Sequence, residues 1–399
     1  MKKSVVISAC LASALMASGY KIPEVSTNGV ALGAANIAHG HGADSAYYNP
    51  ANMVFMDDAQ QLEADLIYIG LQKVHYEGSV SNGTPSSFDS KSEDFFIPAL
   101  HYVSPKLGEN NVRVGLSVNV PGGLTKRWVD SPAQQYAQEF TLEIVEINPT
   151  MAIPLGEHLA IAFGLRVVDT SGVVQSSGLV SRDMTGESVD LGYNLALAYK
   201  PTPQLEIGAT YRSKVNLTVD GNAKLYGVTQ LQYDGGVSVS VPLPATASLA
   251  VAYTFDTSTT VEVVYERDMW SAYQELDFNY VGNVGNLAPY FDAPIPKNWK
   301  DTTVYRIGIT QELEQWTLMA GCVIDESPIP QSSLSFELPG SDTLSFSLGA
   351  RYQYNEHINV GISALYSMHD ARDVQNDTLD GKFSEGDVTI VSAGLQYKF

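Results

Sequence analysis

Side chains that could catalyse a reaction are few and scattered along this chain. Many serine hydrolases hold the nucleophile in a Gly-x-Ser-x-Gly turn, and the sequence contains no such turn. Histidines that could act as bases lie near the ends of separate candidate strands, with no partner that spacing identifies: His75, His101, His158, His357 and His369. The chain is therefore not expected to be an enzyme, and a lipid hydrolase is kept only as an alternative.

Metal and cofactor sites are not expected either. His39 and His41 stand two residues apart near Asp44, but a closed metal site needs more ligands than this glycine-rich segment supplies. Acidic residues crowd residues 370–387 without the spacing of a calcium loop, which is typical of a solvated surface.

Composition narrows the function classes. The 399 residues include 23 Lys and Arg against 44 Asp and Glu, a net charge of −21, so a nucleic-acid partner is not expected. A hydrophobic share of 44% is too high for a disordered chain.

The first nineteen residues have the pattern of a secretory signal peptide. Lys2 and Lys3 precede an apolar run over residues 5–17, and small residues then allow a cut before Tyr20 or, alternatively, after Ala17. Cleavage removes Cys10, so the mature chain keeps one cysteine and forms no internal disulfide.

The remaining chain lacks an apolar run long enough for a membrane helix and instead alternates polar and apolar residues, the period of a β-strand. Fourteen such runs are found: 61–77, 94–104, 112–120, 140–154, 158–172, 187–200, 204–220, 237–254, 259–277, 300–311, 315–325, 342–354, 357–370 and 387–399. Tight turns alternate with longer polar loops at 78–93, 121–139, 173–186, 221–236, 278–299, 326–341 and 371–386. This alternation predicts an all-β protein, an antiparallel transmembrane barrel of fourteen strands over residues 61–399.

Residues 20–60 show no strand period and are rich in Gly, Ala and Asn. A fourteen-strand barrel leaves a lumen, so we interpret this segment as a plug, or hatch, inside it. A periplasmic tail is the alternative, but the segment is rather apolar for one.

Several motifs resemble those of the FadL/TodX family of outer-membrane transporters for long-chain fatty acids and aromatic hydrocarbons. The motifs occur in family order over the mature chain: Gly19-Tyr20-Lys21-Ile22-Pro23-Glu24, Asn49-Pro50-Ala51, Ile147-Asn148-Pro149-Thr150, Tyr211-Arg212-Ser213-Lys214, Leu243-Pro244-Ala245-Thr246, Trp299-Lys300-Asp301 and Asp325-Glu326-Ser327-Pro328. The resemblance implies a cargo held first in an outer groove, then in a barrel pocket, and released sideways beside a kinked third strand. Candidates for that kink are Gly115, Pro121, Gly122 and Gly123, although the last three could instead begin a loop.

The same resemblance suggests ligand contacts. Lys297 or Lys300 could hold a fatty-acid carboxylate, with Arg182 or Arg166 as candidates for a second basic contact, while Tyr136, Phe140, Tyr290 and Phe291 could line the outer groove. A weak basic pair would instead suit an aromatic hydrocarbon.

The expected setting is the bacterial outer membrane. We expect a monomer surrounded by outer-membrane lipids, with the terminal Phe399 serving as a signal to the barrel assembly machinery. A general porin or adhesin is a further alternative, since it would need no apolar plug.

Overall fold

The computed structural model describes residues 19–399 except 41, 82 and 229. All of the expected signal peptide but Gly19 lies outside the described residues. Within the described part of the chain, no helix is long and apolar enough to cross a membrane.

Fourteen antiparallel strands form one closed barrel. They are β1 (Gln61–Leu71), β2 (Glu93–Val103), β3 (Arg113–Arg127), β4 (Glu139–Pro154), β5 (Leu159–Ser176), β6 (Ser181–Tyr199), β7 (Leu205–Arg212 and Val215–Tyr226), β8 (Leu231–Leu243 and Thr246–Thr254), β9 (Thr259–Asp268), β10 (Thr302–Glu312), β11 (Trp316–Asp325), β12 (Thr343–Gln353), β13 (Ile358–His369) and β14 (Val388–Lys398). Pairing of β14 with β1, from Gln61 opposite Lys398 to Leu71 opposite Val388, closes the sheet. The predicted fourteen-strand barrel is therefore confirmed.

Strand lengths differ from the prediction at one end of the barrel. Most of the expected loops at 173–186 and 221–236 is strand, with turns only between Ser176 and Ser181 and between Tyr226 and Leu231. These extensions carry polar residues on their outer face, which makes their sequence look like a loop. Conversely, β1 ends at Leu71 and β9 at Asp268, earlier than the alternating pattern indicates.

The long loops carry structure of their own above the barrel. Four short strands form a separate sheet in the order Arg372–Gln375, Leu379–Glu385, Val74–Val80 and Thr84–Asp89. A two-residue ladder joins Glu275–Leu276 to Ile295–Pro296, and single helical turns lie at Gln134–Ala137, Trp270–Ala272, Gly285–Leu287, Ala288–Phe291 and Gln331–Ser333. Aromatic rings of Tyr76, Phe88, Trp128, Phe336 and Phe383 pack under the four-stranded sheet.

The hatch lies inside the barrel. It contains α1 (Thr27–Leu32), α2 (Ser45–Tyr48) and a 3-10 helix (Pro50–Phe55), and nearly all residues from Tyr20 to Met53 are buried. Ser26 caps α1 by accepting from the Gly29 amide, and Gly33 ends it with a left-handed φ of 56°. The 3-10 helix contacts β4 and β5, whereas α1 contacts β12 and β13 on the opposite side of the barrel. The segment therefore lies across the lumen.

Polar side chains of the wall bind the hatch backbone. Glu262 of β9 accepts from the amides of Ile37, Ala38 and His39 at 2.7, 2.8 and 3.0 Å. Asn49, the first residue of the Asn-Pro-Ala motif, donates to the carbonyl oxygens of Ile37 and of Leu197 in β6.

Further ion pairs and close contacts hold the same segment. Lys21 forms ion pairs with Glu266 and Asp268, while Arg351 of β12 donates to Asn28. At Gly321 of β11 an added Cβ would lie 2.5 Å from the Leu32 carbonyl oxygen, so only glycine allows this approach. The hatch is thus fixed by specific contacts around the barrel.

Replacing Glu262 with Ala should loosen the hatch. Three buried amides would lose their acceptor, and an unsatisfied buried donor costs about 1–3 kcal/mol. We expect a lower unfolding temperature and a larger single-channel conductance in planar bilayers. Glu314→Ala, in an exposed turn, is the control; equal conductance of the two variants and the unchanged protein would contradict this role.

Candidate functional site

An apolar cavity of about 50 Å³ lies between the hatch and the inner faces of strands β3 to β8. Its walls include Phe140, Leu142, Met184, Val237 and Phe278, and Tyr20 of the hatch also borders it. A cavity of about 150 Å³ is known to admit benzene, so a ligand here requires side chains to move apart. Such a site suits an apolar chain or ring and not a hydrated solute.

Two basic side chains lie beside this cavity. Arg182, at the start of β6, places its guanidinium 5.2 Å from the ring centre of Phe278, a cavity wall, and 5.9 Å from that of Phe291. Lys297, in the loop before β10, is 2% exposed and Arg182 is 7% exposed. The two residues are 115 positions apart in sequence, and the fold brings them close enough for their charges to act on each other.

Neither cation is fully compensated. Among the described residues no carboxylate forms an ion pair with Arg182 or Lys297, and the Arg182 Nε atom has no hydrogen-bond partner. Burial lowers the pKa of the Lys297 ammonium, while the nearby Glu337 carboxylate acts in the opposite direction. Burial by itself raises the pKa of the Glu337 carboxyl. The positive charge of Lys297 and local hydrogen bonds have the larger opposite effect, so the pKa of Glu337 is lowered overall.

A wider groove of about 410 Å³ opens on the outer side of these residues. Tyr136, Lys297, Phe336 and Glu337 line the groove, whereas the next residue, Leu338, lines the inner cavity. The segment 336–338 therefore separates groove from cavity.

Other sequence candidates are distributed over the molecule. Phe140 lines the cavity, Phe291 lies under Arg182, and Tyr136 lines the groove, but Tyr290 is 65% exposed and Lys300 is also exposed, outside both spaces. Arg166 lies deeper in the lumen, where its Nε donates to Glu146 at 2.8 Å and its guanidinium to the Ser213 carbonyl oxygen. Arg166 is thus part of a structural ion-pair network.

The barrel wall is incomplete between β2 and β3. Only four residue pairs join them, from Leu100 opposite Val118 to Val103 opposite Gly115, although β2 pairs with β1 along eleven residues. The register of β3 against β4 shifts between Asn119 and Gly122, which places Pro121, Gly122 and Gly123 inside the strand and not in a loop. Above the gap, the Lys91 amide donates to the Arg127 carbonyl oxygen at 2.9 Å. We call the unpaired stretch, residues 94–99 and 119–126, the window.

The hatch covers the inner side of the window. The Ile22 amide donates to the Pro121 carbonyl oxygen and the Gly123 amide to the Tyr20 carbonyl oxygen, both at 2.9 Å. Gly115 has a different role, because it belongs to the paired part of β3 and an added Cβ would lie 2.7 Å from the Met53 sulfur. The irregularity of β3 therefore lies at Pro121 and the two glycines after it.

These features match a known family. A family model described as outer membrane protein transport protein (OMPP1/FadL/TodX) matches residues 8–399. The chain belongs to this family.

Individual relatives are distant but cover almost the full length. A long-chain fatty acid transport protein of Escherichia coli O6:H1 is 23% identical over 428 residues, covering 95% of this chain and 91% of that protein. The crystal structure of a Pseudomonas aeruginosa FadL homologue has a TM-score of 0.82 at 19% identity and covers 95% of this chain and 99% of its own. The Pseudomonas putida toluene transporter TodX has a TM-score of 0.71 at 16% identity, with 94% and 98% covered.

The family assignment places this barrel in the outer membrane and makes it a member of a family that transports hydrophobic compounds. The matched family is one of transport proteins and not of enzymes. The predicted family and location are therefore confirmed.

Sequence reasoning did not single out two charged residues that lie beside the cavity, the groove or the window. Glu337 stands among apolar residues of a loop, and Lys126 follows the apolar and glycine-rich stretch from Val120 to Leu124 of β3. A charged residue within such a stretch is a signal in itself, because charge at a buried position normally has a specific partner or role.

Gly122→Ala should disturb the contact between hatch and window. The added Cβ would lie 2.7 Å from the Tyr20 carbonyl oxygen, which is backbone and cannot rotate away. Loss of the two backbone hydrogen bonds should speed amide exchange of Ile22 and Gly123 about ten-fold, measured by mass spectrometry. Gly172→Ala is the control, since its nearest neighbouring atom would be 3.7 Å away. Equal exchange in both variants would show that the hatch does not depend on this approach.

Proposed function

We propose that this outer-membrane protein admits long-chain fatty acids as anions. The observation that carries the proposal is the pair of buried cations, Arg182 and Lys297, which have no ion-pair partner among the described residues. Arg182 contacts the cavity wall at Phe278, and Lys297 lines the groove on the outer side of the cavity. A carboxylate could bind both cations while its alkyl chain occupies the cavity. Charge-assisted hydrogen bonds of this kind are stronger than those between neutral groups.

The local charge balance favours a monoanion. Arg182 and Lys297 contribute two positive charges and Glu337 one negative charge, which leaves a net charge of +1 in a buried region. A single fatty-acid carboxylate would neutralise this charge, whereas a neutral hydrocarbon would leave it unchanged. Burying an uncompensated charge is costly, so these charges favour the binding of an anion.

The path follows from the arrangement of groove, cavity and window. The groove would receive the ligand, segment 336–338 would give way, and the alkyl chain would enter the cavity. Each methylene group moved from water to an apolar surrounding gains about 0.8 kcal/mol, so a continuous apolar path avoids rehydrating the chain. Release through the window would deliver it to the bilayer by passive diffusion.

Uptake of aromatic hydrocarbons is the second candidate. It is favoured by the small size and apolar walls of the cavity, which suit a single ring better than an extended chain in the conformation described. The two candidates differ in their dependence on Arg182 and Lys297. A carboxylate binds these cations directly, whereas a neutral hydrocarbon gains from them only the contact between a cation and its aromatic ring.

Arg182→Met and Lys297→Met should separate the candidates. Each variant removes a hydrogen bond to a charged group, worth about 1.5–3 kcal/mol, so the dissociation constant for oleate should rise roughly ten-fold to a hundred-fold. Calorimetry on detergent-purified protein provides the measurement, with toluene as the neutral ligand.

Lys300→Met is the matched control, since Lys300 is exposed and belongs to the same loop. Unchanged oleate affinity in both Arg182→Met and Lys297→Met would overturn the fatty-acid proposal. Loss of toluene binding as well would mean that the substitutions had collapsed the cavity.

Oleate affinity should also depend on pH through Lys297. Because burial lowers its pKa, Lys297 loses its proton at a lower pH than an exposed lysine does. Below that pKa the ammonium is charged and can bind the carboxylate; above it the affinity should fall. Titrations of oleate at increasing pH should show this decline in the unchanged protein and not in Lys297→Met, and identical profiles would exclude Lys297 as the contact.

A further inference from the structure

A third basic side chain is buried near the same path. Lys126 of β3 is 1% exposed, and among the described residues it has no hydrogen bond or ion pair. Buried ammonium groups without a partner are costly and rare, so an uncompensated one calls for a ligand or another specific role. The proposed binding of the ligand at Arg182 and Lys297 makes no use of it.

Pairing within the sheet fixes where Lys126 stands. It lies opposite Phe140 of β4, and two residues before it on the same face of β3 is Leu124. Both Phe140 and Leu124 line the apolar cavity. Lys126 thus stands at the rim of the cavity and also at the upper end of the window, because no β2 residue pairs with β3 from Asn119 to Lys126.

Nearby groups do not neutralise Lys126. The closest carboxylate in its electrostatic surroundings is Glu93 of β2, which lies across the upper end of the window. Glu93 Oε2 is 3.6 Å from Arg127 Nη1, and its Oε1 atom has no hydrogen-bond partner. His369 also lies close enough to Lys126 to feel its charge, but a histidine ring cannot neutralise an ammonium group. The Lys126 charge is therefore left without an ion-pair partner at the upper end of the window.

We propose that Lys126 binds the ligand carboxylate at a second position, between the Arg182–Lys297 pair and the bilayer. This inference rests on the proposed function, since it concerns the later path of the same anion. As the alkyl chain moves sideways into the window, the carboxylate must leave its first partners. An ammonium at the rim of the cavity keeps the anion paired during this transfer and so lowers the barrier to release.

The test compares two ligands with the same alkyl chain, oleate and oleyl alcohol. Cells that express the protein are given each labelled compound, and initial uptake is measured for the unchanged protein, Lys126→Met, Lys126→Glu and Lys126→Arg. We expect oleate uptake to fall about ten-fold in Lys126→Met, to fall further in Lys126→Glu and to be largely retained in Lys126→Arg. Uptake of oleyl alcohol should stay the same in all four.

Binding at equilibrium provides the second measurement. Oleate affinity of purified Lys126→Met should remain within about two-fold of the unchanged protein, because Arg182 and Lys297 are intact. Lys91→Met is the control, an exposed lysine whose amide helps to close the upper end of the window. We expect this variant to take up both ligands normally.

Three results would overturn the inference. The first is unchanged oleate uptake in Lys126→Met. The second is a loss of oleyl alcohol uptake in Lys126→Met as large as the loss of oleate uptake. The third is a Lys126→Arg protein that folds and binds oleate but does not transport it. Failure of the proposed function gives a different result, namely oleate binding that does not respond to Arg182→Met or Lys297→Met.

Discussion

The rest of this structure depends on one constraint, the closure of the backbone hydrogen-bond ladder. A sheet in a bilayer has no water to satisfy its amides and carbonyls, so every strand must have a neighbour on each side. β14 pairs with β1 over eleven residues to meet this demand. The window between β2 and β3 departs from this rule, because the two strands are not paired there. It includes Pro121, which has no amide hydrogen, and the two glycines that follow it in β3.

The hatch compensates for part of that exception. Its residues Tyr20 and Ile22 supply the partners for Gly123 and Pro121 that β2 does not provide. The same segment therefore closes the lumen and completes the wall. A local movement of these residues would open the window without disturbing the ladder on the opposite side of the barrel.

Charges inside the barrel fall into two groups. Glu146 joins Arg166 and Arg212, and Glu266 joins Lys21 and Arg306, so these buried ions have partners that fix wall and hatch together. Breaking such a pair by removing one member is strongly destabilising, by about 3–5 kcal/mol. Arg182, Lys297 and Lys126 form no ion pairs among the described residues and lie around the apolar cavity. Paired charges thus hold the structure, and the unpaired ones are those to which we assign the proposed ligand contacts.

Sequence patterns predicted the architecture better than the site. Alternation along each strand and the tight turns between strands follow local rules, so the number of strands could be predicted. No local rule relates Arg182 on β6 to Lys297 in the loop before β10, so the family resemblance could offer both only among alternatives, beside Lys300 and Arg166. Pro121-Gly122-Gly123 was ambiguous for a similar reason, since a strand bulge and the start of a loop use the same residues.

The same contacts bear on the proposed path, because they make passage straight through the barrel more costly than sideways release. Direct passage requires the whole hatch to leave, which breaks the contacts of Glu262, Asn49, Lys21 and Arg351 together. Uncovering the window displaces Tyr20, Lys21 and Ile22, which breaks two backbone hydrogen bonds to β3, the hydrogen bond of the Tyr20 hydroxyl to Pro242 and the ion pairs of Lys21. The contacts of Glu262, Asn49 and Arg351 with the hatch stay in place. In the proposed path, release through the window therefore disturbs fewer of the contacts that hold the hatch than direct passage does.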